Sequence, residues 1–229
     1  MTTIRNNLQS VHERIAKACA EAHRDVNEVT LLAVSKTFGP EAVREAYEAG
    51  QVAFGENYIQ EGVEKSALLA DLPLQWHCIG PIQSNKTRLV AQHFAWAHTV
   101  DRLKIAQRLS EQRPEELPPL QVCIQVNIDG GATKSGVAPG EVLDLARQVA
   151  SLPRLRLRGL MTIPEPAASF GEQLAVHERT AALFQGLKDE GLALDTLSMG
   201  MTADLEAAVA AGSTLVRVGT AIFGGRARA

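Results

Sequence analysis

Cysteine is scarce in this chain. Cys19, Cys78 and Cys123 are the three in 229 residues, widely spaced and in no paired or metal-ligand pattern. That spacing excludes a disulfide framework and a thiolate metal site, and reads as single buried thiols. An excess of charge of one sign is also missing. A formal net charge of −3 gives no electrostatic footprint for nucleic acid or an acidic membrane. Arg154, Arg156 and Arg158 alternate as the polar face of a strand would. The N-terminus carries no apolar secretory core and no window approaches a membrane span, so the expected compartment is the cytoplasm. No linker, low-complexity tract or charge block divides the chain, which predicts one domain over 1–229. The proline-rich RPEELPP stretch at 113–119 fits a helix-to-strand connection.

What is present is ordinary for a globular protein: 45% hydrophobic and 21% charged residues, and enough length for one sizeable core. Short apolar runs alternate with longer amphipathic segments. Strands are expected at 31–35, 51–54, 75–79, 95–98, 121–127, 156–161, 195–198 and 214–218. The weakest are 95–98 and 195–198. Helical patterns lie near 40–50, 57–70, 84–93, 101–112, 139–151, 170–190 and 202–211, with a first helix over 3–24 and a short last one after Gly219. Eight strands each followed by a helix predict an α/β fold, a single (β/α)8 TIM-type barrel with an extra N-terminal helix. An open doubly wound sheet is the alternative, and the strand count favours the barrel.

In a barrel, active groups gather where strands end. Lys36 follows Leu31, Leu32, Ala33 and Val34, an apolar run that reads as a buried strand. An amine against that wall is poorly solvated, burial lowers its pKa, and a neutral amine condenses with an aldehyde. The alternative is a lysine that leaves the strand end for water. Two late loops carry a second signal, Ser198-Met-Gly200-Met-Thr202 and Arg217-Val-Gly219-Thr220. Gly200 permits close backbone approach, and Thr202 is a candidate N-cap for the helix after strand seven. Free amides at two helix starts, with the Ser and Thr hydroxyls, suit a phosphate after strands seven and eight of a barrel. Plain tight turns are the alternative, and Asp204 counts mildly against an anion.

Lysine at strand one and a phosphate cup at strands seven and eight would suit pyridoxal 5′-phosphate. Arg217 shares a face with Leu215 and Gly219 and can point into the barrel mouth. A guanidinium against the pyridine nitrogen would keep that nitrogen unprotonated and weaken the ring as an electron sink. A salt bridge at the barrel rim is the alternative role for Arg217.

Taken together, AVSKT at 33–37, GENYIQE at 55–61, WHCIGPIQSNK at 76–86, LRGLMTI at 157–163, SMGMTADL at 198–205 and VRVGTAIFG at 216–224 resemble the pyridoxal phosphate homeostasis family over essentially the whole chain. That family's barrel is similar to the N-terminal domain of alanine racemase. The resemblance implies that Lys36 carries the cofactor as an imine. It matches Ser198, Gly200, Thr202, Gly219 and Thr220 to phosphate-binding positions and Arg217 to the residue facing the pyridine nitrogen. Asn57, His77 and Met161 match motif positions near the pocket. One departure stands out: Gly131, within NIDGGATKSG at 127–136, replaces the acidic residue usual in relatives. Lys134 is retained, and is read as a solvated loop lysine in preference to a cofactor contact.

Three functions follow for comparison. A carrier would hold the cofactor and influence its supply to dependent apo-enzymes, without dedicated catalysis. A racemase or lyase would need a second acid–base group opposite the lysine. Alanine racemases supply a tyrosine from an additional domain, which a chain ending at Ala229 lacks, while Tyr47 sits in a helix pattern and Tyr58 reads as packing. Lys86 and Arg88 could meet a substrate carboxylate, but a solvated helix face is the simpler reading. A generic phosphate barrel would leave Lys36 unmodified. The carrier is favoured, with weak side activity on amino acids left open, and a lone barrel leans towards a monomer.

Overall fold

The computed structural model describes residues 3–225, so the outermost positions of the expected 1–229 domain lie outside the described residues. Within them, eight parallel strands close into a barrel in chain order: Thr30–Val34 (β1), Ala53–Glu56 (β2), Gln75–Cys78 (β3), Trp96–Val100 (β4), Leu120–Gln125 (β5), Leu155–Met161 (β6), Thr196–Ser198 (β7) and Leu215–Val218 (β8). Closure is made by β1 against β8, with Leu32 opposite Arg217 and Ala33 opposite Val218. The open doubly wound sheet is thereby ruled out. Helices Ile4–Glu21 (α1), Pro40–Glu48 (α2), Ile59–Leu68 (α3), Thr87–His93 (α4), Leu103–Gln112 (α5), Val142–Ala150 (α6), Phe170–Asp189 (α7), Leu205–Ala211 (α8) and Thr220–Phe223 (α9) complete the outer layer.

Alternation along each strand sorts side chains between two faces. On β1, Leu31 and Ala33 join the large core shared with the helices, while Leu32 and Val34 form a separate small cluster with Ile79 and Leu215. The barrel interior also holds buried polar groups, among them His77, His98, Ser198 and Arg217.

The extra helix α1 steadies the two loops after β7 and β8. Thr3 Oγ1 accepts the Asn6 amide at its start, and Leu8, Val11, Ile15, Ala18 and Cys19 bury one face at helical spacing. From that face Arg14 pairs with Glu206 and donates to the Thr202 carbonyl at 2.7 Å, and Asn7 Nδ2 reaches the Ile222 carbonyl at 2.8 Å.

Most element boundaries differ from the sequence expectation by one to three residues, and three of these differences have a clear physical reason or consequence. Strand β2 lies two residues later than 51–54, because Glu56 is buried inside the strand against Lys65 and its charge hid it from a hydrophobic pattern. Strand β4 extends to Val100. Helix α8 starts at Leu205 with Asp204 as its cap residue, so Thr202 is not its N-cap but stands in the preceding turn.

Candidate functional site

At the C-terminal mouth of the barrel a cavity of ≈480 Å³ is lined by Val34, Lys36, Asn57, Ile79, Ile163, Met201, Thr202, Ala203, Arg217, Gly219 and Thr220. Its size suits a small-molecule pocket, typically about 300–1,000 Å³. Six of the ten residues expected at the site are therefore brought together: Lys36, Asn57, Thr202, Arg217, Gly219 and Thr220. Gly200 is buried directly behind the wall, and its carbonyl accepts the Arg217 amide at 2.9 Å.

Lys36 sits two residues past the end of β1, half-buried in a turn that carries it to the cavity. The next residue, Thr37, has φ +67, uncommon for a β-branched side chain. On β8, the strand paired with β1, Arg217 is buried with NH1 donating to Ser198 Oγ at 2.7 Å and NH2 to the Thr162 carbonyl at 2.8 Å. Both acceptors are neutral. Burial pulls the guanidinium down to about 10, so it keeps its charge at neutral pH. Asp204, the nearby carboxylate, is turned elsewhere: it accepts from His177 at 2.8 Å and from the Met201 amide at 2.7 Å. Burial pushes that carboxyl up, but those bonds outweigh it and hold it below the usual range.

His77, Met161 and Ser198 occupy the barrel interior and not the cavity wall. Ser198 takes the Arg217 donor, and its hydroxyl lies 2.8 Å from His98 Nδ1. His98 Nε2 meets His77 Nδ1 at 2.8 Å, and His77 Nε2 meets Gln75 Oε1 at 3.0 Å. Arginine only donates, which leaves the Ser198 proton for His98 and orients the whole chain of bonds from Arg217 towards Gln75. Burial holds His77 down at about 3 and His98 well below its ordinary value, so both rings are neutral. His77 stacks on Trp96, which shares a cluster with Met161 and Cys123. His98 was not singled out from sequence, because its strand was the weakest signal of the eight alongside β7.

Two further expectations are corrected. Tyr58 is 55% exposed, so it does not pack. Lys134 is not a solvated loop lysine: its ammonium donates to the Ile163 carbonyl at 3.0 Å and pairs with Asp129 at 3.6 Å and Glu165 at 3.2 Å. Those two carboxylates steady the loop although Gly131 brings none.

The lining fits a phosphorylated aldehyde. It offers a primary amine, a buried cation with no carboxylate bonded to it, and the hydroxyl residues Thr202 and Thr220, the second of which opens α9. Asn57 Oδ1 is buried without a hydrogen-bond partner, an acceptor waiting for a donor in a site of this polarity.

The model of the alanine racemase N-terminal domain family matches residues 4–227. A pyridoxal phosphate homeostasis protein of Pseudomonas aeruginosa is 61% identical over 226 residues, covering 99% of this chain and 97% of that protein. One from Escherichia coli is 55% identical over 229 residues, covering 99% and 98%. Among solved structures, PipY of Synechococcus elongatus with pyridoxal phosphate bound is 38% identical, has a TM-score of 0.81, and is matched over 92% of this chain and 100% of its own.

Proposed function

The chain belongs to the pyridoxal phosphate homeostasis family, whose barrel is of the alanine racemase N-terminal type, and from that premise we propose that its mouth cavity holds pyridoxal 5′-phosphate for supply to dependent apo-enzymes. The observation that carries this reading is Lys36 and Arg217 lining one cavity with Thr202, Gly219 and Thr220. When bound, the cofactor supplies an aldehyde that an amine captures with loss of water.

Lys36 is the amine in this reading. Thr202, Gly219 and Thr220 receive the phosphate, and Arg217 contributes positive charge that water does not screen. Because a guanidinium donates and never accepts, Arg217 facing a ring nitrogen leaves that nitrogen without a proton. Carbanion chemistry is then poorly supported, which favours holding over turnover. The composition of the wall points the same way. Among the described residues lining the cavity there is no tyrosine, histidine, cysteine or carboxylate to act as a second acid–base group.

Replacing Lys36 tests the anchor. Lys36→Ala is expected to lose the near-ultraviolet band of the loaded protein and the adduct fixed by borohydride. A variant retaining that adduct at full stoichiometry would overturn the assignment. Holding against turnover is tested separately by incubation with L-amino acids, where D-enantiomer formed at enzyme-like rates would establish a racemase instead. Delivery is tested by mixing loaded protein with an apo-enzyme and comparing its activation with that by free cofactor.

A further inference from the structure

A charged cluster behind the wall has no part in the site described so far. Lys65 lies on α3 and is only 5% exposed. Its ammonium uses all three donors: on the Ser35 carbonyl at 2.8 Å, on Glu56 Oε1 at 2.8 Å and on Glu61 Oε1 at 2.6 Å. Glu61 Oε1 also accepts the Thr37 amide at 2.7 Å, and Glu56 Oε1 accepts the Ser35 hydroxyl at 2.7 Å.

The Ser35 carbonyl and the Thr37 amide belong to the two peptide groups that flank Lys36. One cluster therefore grips the backbone on both sides of that residue. The grip coincides with Thr37 at φ +67, a strained conformation for a β-branched residue that persists where its surroundings over-determine it. We propose that Lys65 and Glu61, backed by Glu56, are positioning residues that fix the turn presenting Lys36 to the cavity. The proposal rests on the reading that Lys36 captures the cofactor aldehyde.

Stability alone is a poor reason for such a cluster. Burying an ion pair costs several kcal/mol of desolvation per charge, and apolar replacements of similar volume are often neutral or stabilising. Here Glu56 is fully buried, one of its oxygens has no partner, and burial raises its pKa despite the Lys65 and Ser35 bonds. Conformational specificity is what the cluster supplies. In the capture step the Lys36 nitrogen adds to the aldehyde carbon, and the carbonyl oxygen leaves as water with both amine protons, giving a carbon–nitrogen double bond. A backbone held in advance places that nitrogen without further ordering, and misplacement by about 1 Å can cost about a hundredfold in rate.

The test uses two probes on protein freed of cofactor: pyridoxal 5′-phosphate, and pyridoxine 5′-phosphate, which carries an alcohol in place of the aldehyde. Rates of adduct formation are followed by absorbance and affinity for the alcohol by equilibrium titration. Lys65→Met and Glu61→Ala are expected to slow adduct formation at least about tenfold while leaving affinity for the alcohol within about twofold. Glu61→Gln, which keeps an acceptor for Thr37 and Lys65, is expected to recover most of the rate. Should Lys65→Met fail to fold, the partly exposed Glu61 pair carries the comparison. An unchanged adduct rate overturns the proposal, and so does a parallel loss for both probes, since that is a purely structural effect. Wild-type protein that binds both probes but forms no adduct overturns the function reading itself.

Discussion

At the scale of single residues, two side chains do opposite things with burial. Lys36, the amine proposed to capture the aldehyde, is half-buried, whereas Arg217 is a full charge enclosed in protein. Burial lowers Arg217 from its ordinary value to about 10, which corresponds to about 3 kcal/mol against the charged form at neutral pH. Truncating it leaves Ser198 Oγ and the Thr162 carbonyl short of a donor, at about 1–3 kcal/mol each. These terms nearly offset. Arg217→Met is therefore expected to shift the urea midpoint little, while affinity for the phosphorylated cofactor falls at least about tenfold. A large loss of stability with unchanged affinity would show Arg217 to be a structural strut. Both residues were legible in the sequence because each stands beside a glycine-marked or apolar strand end. Lys65 and Glu56 were not. A lysine on a helix reads as solvated, and a glutamate after a glycine reads as a turn, so their mutual burial became visible only when α3 was packed on β2.

Secondary elements show a similar division. All eight strands and their helices follow from the alternation of apolar runs with amphipathic segments, since hydrophobic period is a property of the chain itself. Ends were harder, as Thr202 illustrates. Its hydroxyl is a good cap in isolation, but Arg14 of α1 holds the Thr202 carbonyl and the chain makes another turn before α8 begins. The loop after β7 depends on one conformation in particular. Gly200 has φ +97, and a Cβ there would lie 2.5 Å from the Ala208 Cβ. Gly200→Ala is expected to cost about 1–3 kcal/mol in denaturant unfolding and to weaken cofactor binding in parallel, because Met201 to Ala203 form part of the cavity wall. Binding that survives at full strength would detach this loop from the site.

For the whole molecule, the barrel interior sets the pH behaviour. The bonds from Arg217 through Ser198, His98 and His77 to Gln75 cross the inside of the barrel from β8 to β3, and no sequence pattern revealed them because their members are scattered over four strands, β3, β4, β7 and β8. A histidine held at about 3 stays neutral in the fold while the unfolded chain takes up its proton below 6.5. The unfolded state then binds more protons between those values, so stability rises with pH through that window and is lost on acidification. His77 alone is expected to cost about 2 kcal/mol between pH 7.5 and pH 5, with His98 acting in the same direction. Urea midpoints at the two pH values check this, and equal midpoints would mean that the pair is protonated in the fold. No helix among the described residues is long and apolar enough to cross a membrane.

One mass measurement bears on the whole interpretation most directly. Protein loaded with pyridoxal 5′-phosphate is reduced with borohydride, digested, and searched for the added cofactor mass. The expected result is one modification per chain, on the peptide that contains Lys36. The same mass on Lys134, or on no lysine at all, would contradict the assignment.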